Sequence, residues 1–234
     1  MTGTTVTMHR HGDADSFVAA VSDRLATALR QVLQTRGAAS LAVPGGSTPG
    51  PVFDRLAGTE LDWSHVAVTL TDERWVPATD AASNEHLVRQ RLLQGRAQAA
   101  RLVGLHNAAA TPSAGMAEAS ARLQALPLPF DAVLLGMGGD GHFASLFPGM
   151  LALTEGLALE QNTRCVANDA PINGQARISL TLPFLLQTRI LLLAVRGADK
   201  LAVIERAKTT PPTDLPIAAV LKQERVPVEI HYTD

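Results

Sequence analysis

The sequence predicts an α/β fold: an open, mostly parallel Rossmann-like sheet with helices on both faces. Three observations carry this reading. Short, strand-sized apolar runs recur along the chain. Amphipathic stretches with apolar spacing of three and four lie between them. Several of the apolar runs end in glycine-rich or polar turns, as strands feeding helices do.

Each element follows in order. Ser16 to Leu33 places Phe17, Val18, Val21, Leu25, Leu29 and Val32 on one helical face, and Gly37 stops the helix. Ser40–Val43 reads as a strand ending at Pro44-Gly45-Gly46, and Thr48 to Leu56 as a helix that tolerates proline in its first turn. Val66–Leu70 is a second strand, followed by Asp72-Glu73-Arg74, and Ser83 is the N-cap of a helix running to Leu93. Ala114 to Leu126 is helical, and Asp131 to Gly136 is a third strand. Ile178–Leu182 and Arg189–Val195 read as further strands or strand-like pieces, Asp199–Ala207 as a helix, and Val226–His231 as a last strand. Met1–Arg10 reads as a polar, threonine-rich start and Leu151–Ala176 as irregular.

Composition bounds the function. The 234 residues show no repeat and no linker-like segment, so residues 1–234 are expected to form one domain. A net charge of -2 argues against a nucleic-acid surface but leaves room for a locally basic pocket. The single cysteine, Cys165, excludes an internal disulfide framework and a cysteine-rich zinc site. His9, His11, His65, His86, His106 and His231 show no metal-ligand spacing along the chain, and no metal is expected. No apolar core of a secretory signal and no membrane-length run is present, so the expected compartment is the cytoplasm, with no membrane partner.

In an open α/β sheet, ligands bind beyond the carboxyl ends of the strands. Three polar clusters sit at such ends. In Gly45-Gly46-Ser47-Thr48, free N–H groups and two hydroxyls suit a phosphate at a helix start. An ordinary Ser/Thr cap explains the same residues equally well. No Gly-Lys-Ser/Thr end is present, which argues against ATP. In Asp72-Glu73-Arg74, Arg74 suits an anion and Asp72 a hydroxyl or an imidazole, whereas a solvated turn with a local ion pair is the plainer account.

The third cluster is Gly136-Met137-Gly138-Gly139-Asp140-Gly141-His142. Its glycines satisfy G-x-G-x-x-G, but Pro148-Gly149 cuts short any following helix, which counts against a dinucleotide. His142 is a candidate general base near neutral pH, and Asp140 a candidate to orient it. Arg177 and Lys200 taken singly read as surface charges.

Taken together and in order, these residues resemble the 6-phosphogluconolactonases. The resemblance rests on Gly45–Pro49, Thr71–Arg74, Asp80–Asn84, Leu135–His142, Ala144–Gly149, Arg177–Ser179 and Gly197–Lys200, and spans nearly the whole chain. It implies hydrolysis of 6-phospho-D-glucono-1,5-lactone without a cofactor. By the same resemblance, His142, Asp72, Arg74 and Asp140 are expected at the reacting end. Gly45, Gly46, Ser47, Thr48, Arg177 and Lys200 are expected at the phosphate.

Glucosamine-6-phosphate deaminases share the Asp-Gly-His turn but carry an acid shortly after it, where this chain has Ser145-Leu146-Phe147-Pro148. They remain the alternative, beside a non-catalytic sugar-phosphate sensor. One departure from the lactonase pattern stands out: Phe143 follows the histidine, where those enzymes mostly carry threonine.

Overall fold

A computed structural model describes residues 5–234. The chain enters on strand β1 (Val6–Arg10) and passes through helix α1 (Ala14–Arg36) to β2 (Ala39–Val43). It continues through α2 (Pro49–Ala57), β3 (Val66–Leu70), β4 (Asp72–Arg74), α3 (Asn84–Arg91), β5 (Arg101–Val103) and α4 (Pro112–Leu123). The second half runs β6 (Ala132–Leu135), α5 (Leu153–Leu157), β7 (Cys165–Ile172), β8 (Gln175–Leu180) and α6 (Leu182–Leu185). It closes with β9 (Leu191–Arg196), α7 (Ala198–Ala207), α8 (Ile217–Lys222) and β10 (Val228–Thr233).

Seven strands form one sheet in the order β1-β10-β9-β6-β2-β3-β5, and every neighbouring pair is parallel. Every residue of β2, β3 and β6 is buried. Burial on both faces requires helices above and below, which is why these strands read as near-continuous apolar runs, broken only by Ser40 and Thr69, rather than as alternation. From β2 the chain steps outward through β3 to β5, then returns to the other side of β2 with β6. The order therefore reverses between β2 and β6, the position where such sheets open a crevice for ligands.

Local signals set the helix ends. Asp13 caps α1 by accepting from the Ser16 N–H at 2.7 Å, and Gly37 closes it in the left-handed conformation. Ser83 caps α3 through the His86 N–H.

Several expectations need correction. Ile178–Leu182 does not join the main sheet: β8 lies in a separate antiparallel sheet of order β4-β8-β7. Asp72–Arg74 is a largely buried strand of that sheet, so the solvated-turn reading fails. Leu151–Ala176 is not irregular, because it holds α5 and the long β7. Asn173 and Gly174, both left-handed, join β7 to β8; Asn-Gly between two extended runs is a strong hairpin signal. Val6–Arg10 of the polar start is an edge strand, while the first four residues lie outside the described ones. Among the described residues, no helix is long and apolar enough to cross a membrane.

Candidate active site

The carboxyl ends of β2 and β6, together with the face of β4 and β8, enclose a cleft of about 270 Å³. This is just under the roughly 300–1,000 Å³ of typical ligand pockets, a size for a small metabolite rather than a dinucleotide. Gly45, Gly46, Ser47, Thr48, Asp72, Arg74, His142, Arg177 and Lys200 all line it. Asp140 does not; it stands behind His142.

His142 is held on two sides. Its Nδ1 lies 2.6 Å from Asp140 Oδ1, and that oxygen also accepts the His142 backbone N–H at 3.1 Å. Its ring stacks on Phe147 with centroids 4.0 Å apart. An Nδ1 proton shared with a carboxylate leaves the Nε2 lone pair free to accept a proton. Burial raises the Asp140 pKa, but the backbone N–H and the ring of His142 outweigh that and hold it below the usual carboxylate range.

The tight turn permits this placement. The Gly138 N–H donates to the His142 carbonyl at 2.9 Å, and a Cβ on Gly138 would sit 2.1 Å from the imidazole. No side chain fits there without displacing the ring.

The opposite wall comes from β4 and β8. Strand alternation sends Asp72 and Arg74 toward the cleft and Glu73 away from it. Glu73 accepts from the Arg74, Asn84 and Glu85 N–H groups and from the Ser83 hydroxyl, which fastens the start of α3 to β4. Burial outweighs those four donors and pushes its carboxyl up to about 7.

Asp72 makes no bond to His142. Its Oδ2 accepts from Ser145 Oγ at 2.5 Å and its Oδ1 from Thr71 Oγ1 at 3.2 Å. Ser145 in turn accepts from Arg177 at 3.4 Å, so one hydroxyl couples the acid to the base. The expectation that Asp72 orients the histidine therefore gives way to Asp140.

Three cations converge here. Arg177 is buried, lies 5.2 Å from the Phe147 ring centroid and pairs across the strands with Arg74. Burial first, then the Arg74 charge, lowers its pKa. Arg74 donates to Asn84 Oδ1 at 2.6 Å and to the Ala82 carbonyl at 2.9 Å. Lys200 Nζ bonds Asp199 at 3.1 Å and passes over Gly139. Thr48 forms no side-chain cap to α2, so the ordinary-cap reading fails for it, and the positive end of α2 stays open toward the cleft.

Sequence reasoning missed Asn84, Ser145 and Phe147 as site residues. Asn84 lines the cleft and bonds both the Arg74 guanidinium and the Asp72 carbonyl. Its family-like stretch, Asp80–Asn84, was the available signal. Phe143 is fully buried in the core, so its ring does not reach the cleft.

Comparison with known proteins places these features in a family. Residues 12–228 match the model of the glucosamine-6-phosphate isomerases/6-phosphogluconolactonase. A 6-phosphogluconolactonase of Caulobacter vibrioides is 40% identical over 233 residues, covering 99% of both chains. One from Rhizobium meliloti is 39% identical, covering 96% of this chain and 97% of its own. The crystal structure of a Shewanella baltica 6-phosphogluconolactonase superposes with a TM-score of 0.94 at 38% identity, covering 98% of each chain. With its His142–Asp140 pair and three convergent cations at the switch between β2 and β6, the chain belongs to the glucosamine-6-phosphate isomerase/6-phosphogluconolactonase family.

Proposed function

We propose that the chain hydrolyses 6-phospho-D-glucono-1,5-lactone to 6-phospho-D-gluconate in the oxidative pentose phosphate pathway, acting in the cytoplasm as one catalytic unit over residues 1–234. The observation that carries this reading is a histidine anchored through Nδ1 to Asp140 in the same cleft as Arg74, Arg177 and Lys200. Near-full-length identity to 6-phosphogluconolactonases supports it.

The phosphate sits among the Gly45–Thr48 loop, Lys200 and Arg177, where a helix start and two cations favour a dianion. Binding at this unreacting end fixes the lactone carbonyl near His142. Nε2 of His142 takes a proton from water as the water oxygen bonds to C1. The Arg74 guanidinium, or the Gly139 N–H, which unlike those of Gly138 and Gly141 is not spent within the turn, stabilises the resulting oxyanion. The C1–O5 bond then breaks, and the imidazolium returns its proton to O5, which leaves as the C5 hydroxyl. The new carboxylic acid ionises and releases one proton to solvent. Asp140 holds the ring, while Asp72 addresses sugar hydroxyls and, through Ser145, the Arg177 guanidinium.

The test is loss of freshly generated lactone, followed against its spontaneous hydrolysis. The wild type is expected to accelerate it strongly, and His142→Ala to lose kcat by more than about 1,000-fold with a small change in KM. Absence of acceleration by the wild type, or ammonia and fructose 6-phosphate formed from glucosamine 6-phosphate, refutes the reading. Near-normal turnover by His142→Ala refutes the general-base role alone.

A further inference from the structure

Four titratable side chains meet at the edge of the main sheet, away from the cleft. β1 pairs with β10 so that His9 lies opposite His231 and Thr7 opposite Glu229. Strand alternation therefore puts His9, His231 and Glu229 on one face. The His9 and His11 rings stack on that of His231, with centroids 4.9 and 5.2 Å away. α1 covers this face: Phe17 meets His11 edge-on, and Arg24 bonds Glu229 at 2.9 Å. One ligand atom from each of His9, Glu229 and His231 lies within 4.8 Å of the others.

His231 marks this as more than a chance cluster. Its ring is buried, the residue being 4% exposed. Its Nδ1 bonds His11 Nε2 at 3.0 Å, but its Nε2 has no hydrogen-bond partner. The nearest carboxylate oxygen, on Glu229, stands 3.7 Å away. A buried polar nitrogen left bare is unfavourable and calls for a partner.

We propose that His9, His231 through its Nε2, and Glu229 bind a divalent transition ion of the zinc class, with water completing the coordination. Two imidazoles and one carboxylate suit zinc, cobalt or nickel, whereas magnesium and calcium prefer oxygen donors. The outer support is in place. With His11 Nε2 as the acceptor, the His231 proton sits on Nδ1 and Nε2 presents its lone pair to the ion. Arg24 Nε lies 3.2 and 2.9 Å from the two Glu229 oxygens and holds the carboxylate.

Ligands around a tetrahedral zinc at about 2.0–2.1 Å stand roughly 3.3 Å apart, so the site must tighten as the ion enters. His9, on the outermost strand with solvent beside it, is the side chain free to do so. None of the three ligands lines the catalytic cleft. The ion would pin the first strand to the last, and the assignment stands independently of the lactonase reading.

Zinc is titrated calorimetrically into wild type, His9→Ala, Glu229→Gln and His142→Ala, with thermal melts in parallel and cobalt absorption to report the donor set. His9 is exposed on an edge, so its truncation leaves the fold intact. One equivalent of zinc is expected on the wild type and on His142→Ala, with a raised Tm. His9→Ala and Glu229→Gln should each bind at least about tenfold more weakly. No binding by the wild type up to about 1 mM zinc overturns the assignment. So does binding that survives both edge substitutions, or that is lost in His142→Ala.

Discussion

Replacing Gly138 with alanine tests whether the tight turn serves the imidazole. The backbone at Gly138 is not left-handed, so alanine meets no conformational penalty there. The added Cβ falls 2.1 Å from both Cε1 and Nδ1 of His142 and 2.6 Å from Asp140 Oδ1. Ordinary contact begins at 3.4 Å, so the ring must withdraw by about 1.3 Å. A misplacement of about 1 Å at a reacting group costs on the order of 100-fold in rate, about 2.7 kcal/mol of barrier. Gly138→Ala should therefore lower kcat about 100-fold while KM stays within about twofold, because the phosphate contacts are untouched. The assay is steady-state hydrolysis of fresh lactone, corrected for spontaneous loss, with a melt to verify folding. The double variant with His142→Ala should be no slower than His142→Ala alone, since both act through one ring. A Gly138→Ala enzyme within about threefold of wild-type kcat would refute the link between this glycine and the base.

Other outcomes follow from the same geometry. Lys200→Ala should raise KM about tenfold with kcat little changed, the loss of one charge-assisted contact to phosphate, read by initial rates across substrate concentration. Phe143→Thr should cost about 3 kcal/mol in urea denaturation, because it empties a fully buried site, while kcat per folded molecule holds. Glu73 titrates higher in the fold than the ordinary 4.5, at about 7, so its contribution is full below pH 4.5 and lost as pH rises through 7. Its share of the change is on the order of 3 kcal/mol, and Glu73→Gln should flatten the fall in stability between pH 5 and 8, whatever its own baseline.

The main sheet was legible because its central strands are covered on both faces and so read as apolar runs such as Ala132–Leu135 and Leu191–Val195. The small sheet was harder. β7 is interrupted by Asn168 and Asp169 and bulged between Asn168 and Ile172, and β4 is three charged residues, of which Asp72 and Glu73 are buried only because α3 and β8 close over them. β1 gave no apolar pattern, since four of its five residues are exposed at an edge. The site residues were readable as types at strand ends, but their partnerships were not. Nothing local says that Ser145 joins Asp72 to Arg177, or that His9 meets His231 more than 200 positions away. Such pairings belong to sheet order, which only the fold supplies.

The reversal of strand order between β2 and β6 also makes the cleft a ruler. The Gly45–Thr48 loop and the His142 turn spring from adjacent strands, paired at Leu41 with Ala132 and Ala42 with Val133. Sheet hydrogen bonds fix the interval between neighbouring strands, and neither loop can slide without breaking that ladder. Under the proposed mechanism the span from phosphate to carbonyl is therefore set by the backbone. A phosphorylated lactone one carbon shorter would anchor at the cations and leave its carbonyl short of the imidazole, binding as a competitor rather than turning over.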